Sequence, residues 1–154
     1  MTIPAATTAP SPAPVRPSPP VDVATLRSLL DGSDQGVRDF ARRRLVEPRF
    51  AYRHDVGTAE RRELVLDWLR ELSKDGLGQL PVPHAYGGKG DPRGFMAAFE
   101  TLAYHDLSLT IKFGVQYGLF QGSVQRLGTE GHHHTFLPAI SPGELLGGFA
   151  MGEL

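Results

Sequence analysis

Three consecutive histidines, His132, His133 and His134, are the residues of this chain most able to do chemistry, since imidazole is a common ligand for zinc and other transition metals. Consecutive residues of a helix point roughly 100° apart, so the three cannot face one ion. No further ligand is read at a metal-site spacing, and the expectation is that the chain holds no metal. Gly87-Gly88-Lys89-Gly90 invites comparison with a phosphate loop, but neither GxxxxGK[ST] nor GxGxxG spacing is present. A glycine turn is the expectation there. Arg42, Arg43 and Arg44 could hold an anion, yet they stand just before Pro48, where the last turn of a helix favours cations and a solvated basic face. Ser123 and Ser141 lack the elbow motif of a nucleophilic serine. With no cysteine in the sequence, thiolate sites and disulfides are excluded. No residue is assigned a catalytic role.

The elements that would position any site are helical. Val23, Leu26, Leu29 and Leu30 share one side of a first helix, and Ser33 is the expected N-cap of a second. A third helix, capped at Thr58 and closed by Gly76, carries the apolar stripe Leu64, Val65, Trp68, Leu69 and Leu72 opposite a strongly charged face. An irregular loop then runs to Asp91-Pro92, the N-cap and first residue of a fourth helix that places Phe95, Phe99 and Leu102 inward and ends near His105. Ser108 is the expected cap of a fifth helix running to about Leu127. Its glycines at 114, 118 and 122 form a bare ridge that lets a backbone or a flat ligand come close, buried helix packing being the ordinary use of such a ridge. Lys112, Gln116, Gln121 and Gln125 interrupt this segment and rule it out as a membrane span. After Ser141-Pro142-Gly143, the apolar run Leu145–Met151 reads as a first β-strand, whose unpaired edges suggest that a β-domain continues past Leu154.

Of the 154 residues, 40% are hydrophobic and 21% charged, with a formal net charge of -1, which fits a globular unit without a basic stripe for nucleic acid. A cytoplasmic setting agrees with the missing cysteines, and no membrane association is expected. The first twenty residues hold seven of the thirteen prolines and read as a disordered leader. The expected organisation is therefore a leader over 1–20, an all-α, bundle-like domain over 21–143, and the start of a truncated β-domain over 144–154.

Several runs taken in order, LPVPHAYGGKG, FMAAFETLAYHDLSL, FGVQYGLFQGSVQRLGTEGHHHTFLPAI and GELLGGFAM, resemble the N-terminal part of the acyl-CoA dehydrogenase/oxidase flavoprotein family over roughly residues 33 to 154. The oxidase branch is the more similar, through Tyr117–Phe120, Leu127–Glu130, Leu137-Pro138 and Phe149–Glu153. The resemblance implies an N-terminal helical domain followed by a β-domain and a C-terminal helical domain. FAD would lie between them, an acyl-CoA thioester would be the substrate, and the whole enzyme could be a homo-oligomer. It also implies that the catalytic base, a glutamate of the C-terminal helical domain, lies outside this chain. The chain alone is thus expected to be inactive, either as a segment of an FAD-dependent acyl-CoA oxidase or dehydrogenase of fatty-acid β-oxidation or as a remnant acting at most as an interaction module. By the same resemblance Phe113 and Tyr117 would wall the acyl pocket, while Met151 and Gly152 would meet the flavin. Gly152 stands where the family motif FAMTE has threonine, a substitution that removes one side-chain hydrogen bond, worth roughly 0.5–1.5 kcal/mol.

Overall fold

A computed structural model describes residues 20–150 and 152. The expected leader, apart from Pro20, lies outside the described residues, as do Met151, Glu153 and Leu154. The described chain forms two units, one ending at Leu30 and the other beginning at Asp31. The first contains most of helix α1 (Val23–Asp31), which begins where the Asp22 carboxylate accepts the Ala24 amide at 3.1 Å. A side-chain bond from Thr25 holds the Asp22 carboxyl below its ordinary range, and backbone bonds from Ala24 and Thr25 add to the effect.

The second unit comprises α2 (Gln35–Leu45), α3 (Thr58–Lys74), α4 (Pro92–Ala103), α5 (Leu107–Phe113), a π-helical segment (Gly114–Phe120), α6 (Gln121–Leu127) and α7 (Glu130–Ile140). Helix α2 packs on α4, both α3 and α4 pack on α5, and α6 packs on α7. The stripe expected on α3 is the floor of the core: Val65, Trp68, Leu69 and Leu72 are buried, with Leu64 partly so. Across from it stand Phe95, Ala98 and Leu102 of α4, then Leu109 and Phe113 of α5. The Trp68 indole donates to the Arg49 carbonyl at 2.6 Å, so the largest core side chain has its one polar atom satisfied.

The helix termini follow sequence chemistry in some places and depart from it in others. Asp91 caps α4 as expected, accepting the Gly94 amide at 2.8 Å, with Pro92 as the first residue. Gly76 ends the third helix region with φ 85°, a left-handed conformation that costs glycine nothing. Three expected caps are corrected. Ser33 lies in a short 3₁₀ turn (Gly32–Asp34) and its hydroxyl accepts from Arg93, leaving the N-cap position of α2 to Asp34. Thr58 is the first helical residue of α3, behind Gly57. Asp106, not Ser108, caps α5 by accepting the Leu109 amide at 2.8 Å.

The expected fifth helix is also corrected: it is one continuous run whose middle seven residues widen into a π-helix. Residues 146–150 follow no helix or turn, and no strand occurs among the described residues, so the expected strand has no ladder here. It is held instead by side chains.

Candidate functional site

The loop from Leu77 to Asp91 shows what its glycines are for. The amides of Gly87, Gly88, Lys89 and Gly90 donate to the carbonyls of His84, Pro83, Gln79 and Val82, at 2.8–3.1 Å. A Cβ on Gly88 would stand 2.0 Å from the Val82 carbonyl oxygen. Glycine is needed because the chain closes on itself, and those amides are consumed in doing so. None of them remains to cradle a phosphate.

The three histidines each have a different neighbour. The Nδ1 of His132 accepts the Thr129 amide at 3.0 Å and completes a capping box at the start of α7, taking the place that glutamate or glutamine usually fills. His133 Nδ1 lies 3.2 Å from the Tyr86 hydroxyl, and His134 Nε2 lies 3.7 Å from the Glu130 carboxylate one turn earlier. A carboxylate does therefore stand at a helical ligand spacing from His134, contrary to expectation. Among the described residues, however, no three His, Cys, Asp or Glu side chains gather where they could hold an ion. The arginine cluster is likewise engaged: Arg42 pairs with Asp31 at 2.7 Å, and Arg44 pairs with Asp75 at 2.6 Å. Both serve the packing of the unit.

The site that the glycine ridge suggested is built on the π-helical segment. A π-turn is rare and is often found where a helix must present groups that a regular turn would misplace. Phe113 and Tyr117, expected on a pocket wall, are core residues, 0% and 1% exposed. Phe113 stacks on Phe95 at 5.4 Å between centroids and meets the Tyr117 ring edge-on at 4.9 Å. The Tyr117 hydroxyl bonds to Ser73 Oγ, which itself donates to the Leu69 carbonyl at 2.6 Å. Burial pushes the Tyr117 phenol up to about 12, the bond with Ser73 offsetting only part of that rise. The structure thus brings the two predicted residues together but seals both from solvent.

The faces of the ridge divide. A Cβ on Gly114 would stand 2.7 Å from the Phe99 ring, so this glycine serves packing against α4. At Gly118 the contact would be an ordinary 3.8 Å to Phe95, and at Gly122 nothing lies within 4 Å. The open stretch of the segment is therefore at Gly118, Leu119 and Gly122.

Three glutamines, absent from the predicted site, connect this helical run to the loops around it. Gln125 Nε2 donates to the Pro81 carbonyl at 2.9 Å, and buried Gln121 Nε2 donates to the Gly78 carbonyl at 3.0 Å. The Ser141 hydroxyl donates to Gln121 Oε1 at 3.2 Å and to the Leu137 carbonyl at 2.8 Å. Gln116, 3% exposed, donates through Nε2 to the Leu145 carbonyl at 2.8 Å and accepts the Gly147 amide through Oε1 at 3.0 Å. Gly147 lies so close that a Cβ there would meet the Phe120 ring at 2.2 Å. Leu145–Gly147 is thereby fixed against the π-helical segment. Gly148 and Gly152 have nothing within 4 Å of an added Cβ, and Gly152 is exposed.

A flavin would find open space beside the backbone at Gly148 and Gly152. It would find no pyrophosphate cradle in the glycine loop, whose amides are spent. Met151, the other expected contact, lies outside the described residues.

Residues 33–144 match the model of the acyl-CoA dehydrogenase N-terminal domain. The chain is 35% identical over 100 residues to the peroxisomal acyl-coenzyme A oxidase 2 of Arabidopsis thaliana, an alignment covering 65% of this chain and 14% of that protein. It is 25% identical over 118 residues to an acyl-CoA dehydrogenase of Bacillus subtilis, covering 76% of this chain and 30% of the relative. The chain thus spans less than a third of the length of either. No solved structure matches. Among the described residues no helix is long and apolar enough to cross a membrane. A helical unit matched from its first turn through α7, with its buried aromatic pair and its glycine ridge inside the match, belongs to the acyl-CoA dehydrogenase family as that family's N-terminal domain.

Proposed function

We propose that the chain is the N-terminal segment of an FAD-dependent acyl-CoA oxidase or dehydrogenase, which forms the α,β double bond of an acyl-CoA thioester in fatty-acid β-oxidation. The family match over residues 33–144 carries this reading. When bound, FAD supplies the acceptor for the hydride that leaves the β-carbon. This chain's own part is to bind and orient. The open surface at Gly118, Leu119 and Gly122 would line one side of the acyl chain, and Phe113 and Tyr117 would stiffen that wall from behind. The backbone at Gly148 and Gly152 would approach the flavin edge, with Met151 beside it. The base that removes the α-proton is assigned, by the family resemblance, to a glutamate of the C-terminal helical domain. The chain alone should then neither retain FAD nor turn over. A cytoplasmic setting and a homo-oligomeric whole enzyme belong to the same proposal.

The test grafts residues 33–152 in place of the matching segment of the Bacillus subtilis acyl-CoA dehydrogenase. A folded chimaera should carry FAD and have its flavin bleached by an acyl-CoA, whereas the isolated chain should stay colourless. A chimaera that melts cooperatively and binds FAD, yet is reduced by no acyl-CoA of any length, would overturn the proposal.

A further inference from the structure

We infer that Gln116 is a positioning residue whose carboxamide substitutes for a neighbouring β-strand, fixing the run Leu145–Gly147 and, through it, the backbone that approaches the flavin. In a parallel ladder one residue donates to the carbonyl before, and accepts the amide after, the residue it faces. Gln116 does this with its side chain: Nε2 bonds the Leu145 carbonyl and Oε1 bonds the Gly147 amide, so it faces Leu146. The arrangement answers an accounting problem. Residues 146–150 have no strand partner among the described residues, and backbone groups this close to a packed helix need partners.

Three further observations limit the alternatives. Gln116 is 3% exposed, so its amide is not free to exchange these bonds for water. It sits inside the π-helical segment, Gly114–Phe120, whose widened turn sets where its side chain projects. Gly147 leaves no room for a side chain against Phe120, so the run can approach near enough to bond only with glycine at that position. Helix, glutamine and glycine thus act together. Any shift of the π-helical segment is passed to the run, which couples the proposed acyl wall to the proposed flavin contact. This coupling rests on the functional proposal above; the clamp itself does not.

The clamp is tested on the 154-residue chain by hydrogen exchange, read as protection of the Gly147 amide relative to its unstructured rate. In Gln116→Leu that protection should fall about tenfold, while protection at Leu109 and Phe113 in the core stays within about twofold. Gln116→Glu gives a readout that plain loss of packing cannot imitate. Its carboxylate can accept from Gly147 but repels the Leu145 carbonyl, whereas its protonated form can both donate and accept. Protection of Gly147 in Gln116→Glu should therefore be low at neutral pH and recover several-fold near pH 4, with no recovery in Gln116→Leu. Unchanged protection in Gln116→Leu would overturn the proposal. So would a Gln116→Glu protein that behaves alike at both pH values. If Gln116→Leu exposes the core as well, the Gln116→Glu pair of measurements decides alone. Because no flavin is involved, a clamp that passes in the 154-residue chain while the chimaera fails would remove the functional reading and leave the clamp standing.

Discussion

Gly78 and Gly122 are both glycines beside the same helical run, and alanine at each should shift stability in opposite directions. At Gly78 a Cβ would stand 2.3 Å from the Ser141 carbonyl oxygen and 2.4 Å from the Tyr117 ring. Neither neighbour can yield cheaply, since one is backbone and the other is a ring locked in the core. Overpacking of this kind costs roughly 1–3 kcal/mol. Moving residue 78 also stretches the bond from Gln121 Nε2 to its carbonyl, now 3.0 Å, which adds about 1 kcal/mol. The sum, about 2–4 kcal/mol, should lower Tm by roughly 8–15 °C for a domain of this size. Gly122 lies within α6 and has nothing within 4 Å of an added Cβ. There alanine improves helix propensity by about 0.8–1 kcal/mol and should raise Tm by a few degrees. Thermal melts followed by circular dichroism on the two variants measure both. Equal shifts, or a Gly78→Ala protein as stable as the parent, would refute the view that close backbone approach fixes glycine at 78.

Other outcomes follow from the buried polar groups. Tyr117 ionises at about 12 in the folded chain, above its ordinary value, so the folded state holds the proton more tightly than the unfolded one. Its contribution is complete below about pH 10 and is lost as pH rises from there to about 12, a fall of roughly 2–3 kcal/mol. Urea midpoints measured across that range should drop in the parent and drop less in Tyr117→Phe. Arg42→Ala removes the close guanidinium partner of Asp31, whose side chain is 5% exposed. A loss of about 2–3 kcal/mol by urea unfolding is expected, and Arg43→Ala should change little. Replacing His132, His133 and His134 together by alanine should leave zinc content after dialysis unchanged, and stoichiometric zinc lost on that replacement would contradict the separate roles assigned to them.

The parts legible in the sequence are those governed by local chemistry. The α3 stripe and the Asp91-Pro92 start of α4 were readable because apolar period and cap are properties of a few adjacent residues. The expected caps at Ser33 and Ser108 give way to Asp34 and Asp106 close by, while Thr58 is already helical behind an extended Gly57. Asp106 wins over Ser108 because its carboxylate reaches the Leu109 amide. The π-helical segment left no composition signal, because the wider turn is decided by what packs against it. One signal was available: glutamines at 116, 121 and 125 are spaced five and then four apart, which places them on one face only if the first interval is a π-turn. Phe113 and Tyr117, expected on the acyl-pocket wall by the family resemblance, are buried in this unit, and a sequence does not show what covers an aromatic face.

That glutamine face also explains how one apolar helix governs two loops more than sixty residues apart in the sequence. The carbonyls of Gly78, Pro81 and Leu145 belong to irregular backbone and would otherwise be unpaired beside a packed helix. A carboxamide is suited to them because it donates and accepts at once and carries no charge whose burial must be compensated. Lysine at these positions would donate but bring an ion into the interior, and serine would be too short to bridge two chains. Because an amide does not titrate, the loops keep the same partners across the pH range in which carboxylates and imidazoles change charge. The polar interruptions that disqualify the segment from a membrane are therefore the groups that seat residues 78–81 and 145–147 against it, and the surface proposed to meet flavin and acyl chain is set by neutral side chains rather than by a sheet.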